Sequence, residues 1–283
     1  MVLRRPVDCL LGWVGGLIAL ATAGAFAWIL WDLVRLGLSQ VTWGFLTGEL
    51  SDGGRSGGIG PVLVSTAGIL GGCLFFAVPL GVGCAIWLSE FVRRGSPWAR
   101  AVIGGVDLLA SVPSIVFGLF GMTFFCQKLG LGFSILSGGL TLGCMILPTV
   151  IRTTLSAMRN LPSDLRPSSA ALGLSRLTML REILLPSAFP GILVGITLGI
   201  GRALSETAAL IFTSGYATRW PASLADSGRS LSVHIYDLAM NIPNGGANAA
   251  ASALVLLALI LAINLTASGL GERWRSRQTG LRN

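Results

Sequence analysis

The sequence predicts an all-α integral membrane protein with six transmembrane helices, and three observations lead to this fold class. Of the 283 residues, 53% are hydrophobic and only 11% are charged, whereas soluble domains carry about 25% charged residues. The mean hydropathy is +0.77. Several apolar runs exceed the roughly 18 residues that cross a bilayer, and most charged residues fall in short segments between those runs.

Apolar length, interpreted together with charge, places the six helices approximately at 10–31, 62–88, 101–126, 131–151, 188–213 and 249–270. The first run, Leu10–Trp31, has 22 residues, which is longer than the roughly 7–15-residue core of a signal peptide. We therefore interpret it as a retained first span. Pro113 lies inside the third run and should kink that helix.

Basic residues are divided unequally between the two sides of the membrane. Fourteen fall in the termini and alternate loops, five fall in the opposite loops, and Arg202 lies within a span. The positive-inside rule then places both termini in the cytoplasm. Because membrane orientation explains the net charge of +8, we do not expect a nucleic-acid partner. The fourteen are Arg4, Arg5, Arg93, Arg94, Arg100, Arg152, Arg159, Arg166, Arg176, Arg181, Arg273, Arg275, Arg277 and Arg282.

The outer loop 214–248 contains an apolar stripe that predicts a short amphipathic helix ending at Pro243. We expect this helix to rest on the membrane surface or to cap the bundle. It carries His234, the one histidine of the sequence, which we interpret as structural. The five cysteines form no CxxC pair, so we interpret them as small apolar side chains and predict no metal and no required disulfide. The stripe is Leu231, Ile235, Leu238 and Ile242.

The inner loop 152–187 divides at Gly173 into two predicted short helices along the cytoplasmic membrane face. A cap at Pro162-Ser163 would open the first helix. Ser175 would cap the second, and Pro186 would end it. Glycine permits the sharp turn between them. A small-residue helix of this kind suits either docking into a partner's groove or simply covering the base of the bundle, and the residues alone leave both open.

The stretch "SSAALGLSRLTMLREILLPSAFPGILVG", residues 168–195, resembles the coupling-helix signature of ABC importer permeases. Gly173 matches the signature glycine, and Pro186 ends the closing motif. The leading Glu-Ala-Ala of the signature falls on Pro167-Ser168-Ser169 and is not matched. The resemblance implies that this loop couples to a cytoplasmic ATPase. The residues that it implicates are Ser168, Ser169, Ala170, Ala171, Leu172, Gly173 and Pro186.

Three further motifs resemble the phosphate-specific PstA family within the type-1 ABC importer permeases: "ALSETAALIFTSG", "LASVPSIVFGLFG" and "MILPTVIRTT". The likeness covers about residues 60–270, with departures at Ser205 and Ala209, where a glycine and a proline are usual. It implies an N-terminal helix and outer loop at 1–60, a type-1 ABC transmembrane domain with a coupling-helix loop at 61–270, and a cytoplasmic basic tail at 271–283.

The resemblance also implies a function and a set of partners. The chain would be a non-catalytic permease subunit that moves inorganic phosphate across the bacterial cytoplasmic (inner) membrane. It would pair with a PstC-like permease, two copies of a PstB-like ATPase and a PstS-like extracytoplasmic phosphate-binding protein. It would bind no cofactor itself, because the partner ATPase hydrolyses ATP. Consistent with this, the sequence contains no Gly-x4-Gly-Lys-Ser/Thr motif.

Arg202 and Glu206 lie four residues apart in the fifth predicted span, where each charge costs about 2.5–3.5 kcal/mol at the centre of a helix. On a continuous helix both side chains would share one face. The two residues would either form an ion pair that locks helix packing, or serve an anion path. On such a path Arg202 would supply a fixed positive charge, and Glu206 would orient Arg202 and weaken its field. Arg152 would be a second positive station on the path or an ordinary inner anchor. We expect the Asp107 side chain either to reach the cytoplasmic membrane interface or to pair with an arginine of a neighbouring helix.

Three alternative functions compete with this interpretation. A stand-alone secondary anion carrier would need more titratable groups at mid-membrane and an inverted repeat, and no convincing repeat is present. The sister permease PstC or a related oxyanion permease shares part of the Arg202–Glu206 motif. An intramembrane hydrolase would need a histidine close to a nucleophile, and His234 lies in a loop.

Overall fold

The computed structural model describes residues 6–93 and 95–280, and these form a helical bundle with one small hairpin between the first two long helices. The hairpin pairs β1 (Leu50–Ser51) with β2 (Ser56–Gly57) in antiparallel register. The helices are α1 (Pro6–Gly37), α2 (Trp43–Thr47), α3 (Gly60–Ile86), α4 (Pro97–Ser111), α5 (Ser114–Gly121), α6 (Ile135–Arg159), α7 (Leu165–Ala171), α8 (Arg176–Met179), α9 (Leu185–Leu204), α10 (Ala208–Ile211), α11 (Leu231–Met240) and α12 (Gly246–Gly280).

Helix α6 is the centre of the bundle, and it packs against α3 at very short range. The side of α3 that faces α6 carries Gly81, where an added Cβ would lie 2.7 Å from the Val150 side chain. On α6, a Cβ at Gly139 would lie 2.9 Å from the carbonyl oxygen of Ile69. Small residues let membrane helices approach closely enough for their backbones to pack, since lipid offers no hydrophobic drive for association. The core therefore depends on glycine as much as on large apolar side chains.

Five continuous helices in the described part of the chain are long and apolar enough to span a membrane: 11–40, 60–91, 135–159, 176–204 and 246–274. They confirm the predicted first, second, fourth, fifth and sixth spans as membrane helices, with shifted ends. The sixth helix, α12, continues as helix to Gly280 through most of the predicted basic tail. The predicted division into three domains is a matter of function and stays a prediction.

The third predicted span, 101–126, is not a single straight helix. Helices α4 and α5 meet at Val112-Pro113 with an angle of 100° between them, and a wide π-type turn, Met122–Lys128, extends α5. The predicted kink at Pro113 is thus confirmed, and the two helices together make a sixth, broken span. Proline removes a backbone donor and its ring disfavours a helical residue before it. Val112 accordingly adopts an extended conformation, with φ −69° and ψ 129°.

The predicted outer-loop helix is present as α11, but it is packed into the bundle along much of its length. Its first side chain, Leu231, and Leu238 on the same face are both buried. His234 is 1% exposed and lies beside Gly54 of the outer hairpin, where a Cβ would come within 2.7 Å of the imidazole. The structural interpretation of His234 agrees with this packing. The described cysteines Cys73 and Cys126 are likewise buried in the core.

Candidate transport site and coupling segment

Helix α9 ends at Leu204, so Arg202 and Glu206 do not belong to one continuous helix. Arg202 lies in the last turn of α9, and Glu206 lies in a three-residue break, Ser205–Thr207, before α10 begins. The prediction that the two side chains share a helix face is therefore wrong. No ion pair joins them within residues 6–93 and 95–280. The roles of both residues on a transport path stay predictions.

The break is held by hydrogen bonds that replace the helical ladder. A carboxylate oxygen of Glu206 accepts a hydrogen bond from the backbone N–H of Ala209 at 3.2 Å, which satisfies a donor at the start of α10. The backbone carbonyl of Glu206 accepts from the hydroxyl of Ser232 on α11 at 2.5 Å. Glu206 thus positions α10 through its side chain and binds the outer-loop helix α11 through its backbone carbonyl.

The start of α11 is fixed between the break and helix α3. The backbone N–H of Leu231 donates to the Thr66 hydroxyl on α3 at 2.9 Å, and Ser230 caps α11 by accepting from the N–H of Val233. Because α11 bonds both α3 and the break after α9, the outer loop closes over the place where the fifth segment is interrupted. A membrane protein tolerates such irregular backbone only where protein or a cavity surrounds it.

The two interrupted segments pack directly against each other. A Cβ at Gly118 on α5 would lie 2.9 Å from the Cα of Ala209 on α10. Three residues along, a Cβ at Gly121 would overlap the Thr141 hydroxyl of α6. The absence of a side chain at Gly118 and at Gly121 therefore lets α5 pack closely against both α10 and the central helix.

Arg202 is exposed in the last turn of α9 and, in the part of the chain that the structure describes, it forms no ion pair. Its positive charge is therefore available to a ligand or to a neighbouring subunit. A guanidinium presents a planar fork of donors that matches the oxygens of phosphate or carboxylate. The arrangement can bind an oxyanion without first breaking an ion pair.

Arg152 forms an ion pair with Asp107, which joins α6 to α4 five residues before the break at Val112. Arg152 Nε donates to Asp107 Oδ1 at 3.0 Å, and Arg152 Nη2 contacts the same oxygen. The side chains are 52% and 50% exposed, so solvent screens the pair and its contribution to stability is small. Of the two expectations for Asp107, pairing with a neighbouring arginine is confirmed. If Arg152 is a second positive site on the anion path, the Asp107 carboxylate partly neutralises its charge.

The predicted coupling segment forms two short helices joined at Gly173. Gly173 has φ +72°, in the left-handed region that favours glycine, and Ser175 caps α8 by accepting from the N–H of Thr178. The bend and the second cap are confirmed. The start of α7 is shifted to Leu165, with no side-chain cap. Pro186 does not end the second helix, because α8 continues through a wide turn, Leu180–Leu184, into α9 and Pro186 lies in the first turn of α9.

The surface of this segment is apolar and accessible around the bend. Ala170, Ala171 and Gly173 are exposed, and Leu172 is 77% exposed. Ser168 is exposed as well, whereas Ser169 is buried and its hydroxyl donates to the carbonyl of Leu165. A cluster of small and apolar side chains that protrudes on the polar side of a membrane protein is a typical contact surface for another protein.

Two further ion pairs were not anticipated from the sequence. Arg166 at the start of α7 binds Glu90 at the end of the α3 segment, at 2.7 Å. Arg229 in the outer loop binds Asp237 of α11 at 3.0 Å, with side chains only 9% and 15% exposed. Burial, reinforced by the positive charge of Arg229, lowers the pKa of the neighbouring His234 to about 4. Glu90 belongs to no motif, and its position after a long apolar run was the one available signal.

Comparison with known proteins supports the membrane-permease interpretation of this geometry. Residues 77–277 match the family described as binding-protein-dependent transport system inner membrane component. The chain is 34% identical over 277 residues to the probable ABC transporter permease protein YqgI of Bacillus subtilis, covering 92% of each chain. It is 32% identical to the phosphate transport system permease protein PstA of Xylella fastidiosa, covering 76% of this chain and 75% of the relative.

Solved structures agree on the fold. A bacterial alginate ABC transporter in complex with a pentasaccharide-bound periplasmic protein matches with a TM-score of 0.68 and 18% identity, covering 96% of this chain and 98% of that chain. An inward-facing MetNI methionine ABC transporter matches with a TM-score of 0.59 and 18% identity, covering 76% and 94% respectively. The chain therefore belongs to the family of binding-protein-dependent transport system inner membrane components, the membrane permeases of ABC importers, and resembles the PstA permeases among them.

Proposed function

We propose that this chain is the PstA-like permease subunit of an ATP-driven importer of inorganic phosphate. The observation that carries the proposal is the exposed Arg202, which forms no ion pair among the described residues and lies in the last turn of α9, just before the interruption of the fifth membrane segment. Phosphate needs charge-assisted donors on its path, and release needs those donors to be few. The PstA-named relatives support phosphate as the substrate.

The chain would supply part of the path and the docking segment, while a separate ATPase would supply the chemical energy. We infer a heterodimer with a PstC-like permease, two PstB-like ATPases on the cytoplasmic side and a PstS-like phosphate-binding protein outside. The exposed apolar surface at Ala170–Leu172, with the bend at Gly173, would contact the ATPase. Both termini would be cytoplasmic in the bacterial inner membrane, because fourteen basic residues fall on that side and five on the other.

The replacement Arg202→Gln tests the path. Glutamine keeps most of the side-chain volume and some donor capacity but removes the charge and the fork, so phosphate uptake should fall at least about tenfold. Because the structure shows no ion pair between Arg202 and Glu206 in the described residues, membrane abundance should be unchanged. The measurement is phosphate uptake by reconstituted complex, with abundance and ATPase co-purification recorded in the same preparations.

The double replacement Arg202→Gln with Glu206→Gln and the single Arg35→Gln complete the experiment. Glutamine in place of Glu206 retains an acceptor for the N–H of Ala209, so the double variant should assemble and remain inactive in uptake. Arg35 is an exposed arginine near the outer end of α1, and its replacement should leave uptake unchanged. Full uptake by the double variant would refute Arg202 as a path residue, and uptake by the chain without an ATPase would favour a secondary carrier.

A further inference from the structure

The end of the α3 segment and the start of the coupling segment are joined by a two-point ion pair. Glu90 lies in a wide π-type turn, Trp87–Phe91, that extends α3 on its cytoplasmic end. Arg166 Nε donates to Glu90 Oε2 at 3.1 Å, and Arg166 Nη2 donates to Glu90 Oε1 at 2.7 Å. The side chains of Glu90 and Arg166 are 10% and 28% exposed, so solvent screens this pair much less than the Arg152–Asp107 pair.

The same guanidinium also reaches the central helix. Arg166 Nη2 donates to the backbone carbonyl of Met158 at 3.2 Å, and Met158 belongs to the last turn of α6 and is fully buried. Ser89 Oγ donates to Glu90 Oε1 at 2.7 Å and so holds the carboxylate from its own side. One arginine of the coupling segment therefore binds the cytoplasmic ends of α3 and α6, two helices that pack against each other at short range.

The rest of α7 makes few attachments of this kind. Ala170, Ala171 and Leu172 are exposed, and the hydroxyl of Ser169 bonds within its own helix. Beyond α7, Gly173 has open space where a Cβ would point. In the part of the chain that the structure describes, α7 is attached to the bundle mainly at its beginning, through Arg166 and through Leu165, which packs near Met158 together with Leu161 just before the helix.

We propose that Glu90 and Arg166 form a positioning pair that transmits a displacement of the coupling segment to α3 and α6. A bidentate guanidinium–carboxylate contact fixes both distance and orientation, whereas a single contact acts as a pivot. A movement of α7 imposed by a docked ATPase would therefore pull on the α3 end and on the Met158 carbonyl together. This role rests on the proposed function, since it requires an ATPase on the exposed face of α7.

The experiment measures the amount of phosphate moved per ATP hydrolysed by the complete complex in proteoliposomes. In Glu90→Gln the ratio should fall about tenfold, the scale of a typical coupling free energy, while membrane abundance and ATPase co-purification stay within about twofold of wild type. Arg166→Lys keeps the charge but loses the fork, so its ratio should lie between those of wild type and Glu90→Gln. The exchange variant Glu90→Arg with Arg166→Glu restores the opposite charges and should recover most of the ratio.

Arg159→Gln is the matched control. Arg159 is exposed at the end of α6, on the same side of the membrane, and forms no ion pair in the described residues, so its replacement should leave the ratio unchanged. An unchanged ratio in Glu90→Gln would overturn the proposal. So would a loss in which abundance, hydrolysis and uptake all fall together, because that pattern indicates a purely structural pair.

The wild-type complex separates this proposal from the proposed function. If wild type hydrolyses ATP but moves no phosphate, the substrate assignment is wrong. The pair is then judged by how much the loaded extracytoplasmic binding protein stimulates ATP hydrolysis. Stimulation that is lost in Glu90→Gln and regained in the exchange variant supports the positioning role, and stimulation equal to wild type in Glu90→Gln overturns it.

Discussion

The third and fifth membrane segments are both interrupted, but by different means. Between α4 and α5 the interruption is local, since Pro113 cannot continue the ladder and Val112 is extended. Between α9 and α10 there is neither proline nor glycine. That break is held instead by two hydrogen bonds. The N–H of Ala209 donates to the Glu206 side chain, and the hydroxyl of Ser232 on α11 donates to the backbone carbonyl of Glu206. The first interruption is a property of the sequence around it, and the second depends on a helix 26 residues further along the chain.

The largest effect is expected where the two interrupted segments touch. Gly118→Leu places a side chain where even a Cβ would lie 2.9 Å from the Ala209 backbone. Overpacking of this kind typically costs about 1–3 kcal/mol, and we expect the upper end because the obstruction is backbone. Thermal unfolding of the purified protein in detergent measures the loss. The substitution would separate α5 from α10 and so disturb both interruptions together.

Gly104→Leu provides the control for that substitution. Gly104 lies on α4, before the same interruption, and an added Cβ there meets no atom within 4 Å. The replacement should change the unfolding temperature little. Equal destabilisation by the two leucines would mean that added volume on this segment is harmful in general and that the contact with α10 is not special.

Acid should destabilise α11, the helix that holds the second interruption. His234 has a pKa of about 4 in the folded protein and about 6.5 when unfolded, so the unfolded chain binds more protons between these values. Stability therefore falls as the pH drops below about 6.5, by at most about 1.4 kcal/mol per pH unit. His234→Gln should remove about 2 kcal/mol of the loss between pH 6.5 and pH 4.5.

The charges that surround His234 belong to the same outer-loop cluster. Arg229 disfavours the imidazolium and Asp237 favours it. Both residues are therefore left unchanged in the two proteins that are compared. The measurement is thermal unfolding of wild type and His234→Gln at pH 7 and pH 4.5. An identical acid dependence in the two proteins would show that His234 is not the titrating group.

Glu206→Ala should destabilise the second interruption by about 1 kcal/mol, the usual cost of losing a side-chain acceptor at a helix start. The N–H of Ala209 would then lack its partner in a buried position. Glu206→Gln keeps an acceptor and should stay close to wild type in unfolding temperature. An equal loss for glutamine and alanine would show that the charge, and not the hydrogen bond, supports the break.

The smallest effect is expected at the locally encoded interruption. Pro113→Ala leaves the hydrogen bond from the N–H of Val116 to the carbonyl of residue 113 available. It also increases the freedom of the unfolded chain, which costs about 0.4–1 kcal/mol. Unfolding measurements should place this variant at or just below Glu206→Ala in the size of its effect. A much greater loss would mean that the proline ring alone maintains the angle between α4 and α5.

Much of the fold could be predicted because bilayer length and apolar composition restrict a helix strongly. Five spans, the kink at Pro113, the bend at Gly173 and the outer helix follow from local residue types. The break at Ser205–Thr207 could not be predicted, since "AALIF" continues the apolar pattern without a helix-breaking residue. The break is held by the bond between the Glu206 side chain and the N–H of Ala209 and by the bond from Ser232 of α11, and the second of these comes from a distant element and leaves no periodic signal.

The candidate site was predictable to the same limited degree. Arg202 and Arg152 are recognisable because a charge within an apolar run is costly and therefore conspicuous. Their partners are not, because an ion pair depends on tertiary neighbours: Arg152 binds Asp107, 45 positions away, and Glu90 binds Arg166, 76 positions away. The i, i+4 spacing of Arg202 and Glu206 suggested a pair that the described structure does not contain.

The position of α1 has a consequence for the order in which the protein is made. The most apolar 18-residue stretch of α1 is 0% buried within the chain, and its end packs on α12, where a Cβ at Gly37 would lie 2.6 Å from the Ala250 backbone. Helix α1 is thus synthesised well before the helix that it contacts. Until α12 has been synthesised, α1 must persist in the lipid as an independently stable span, and only then can the two helices come together.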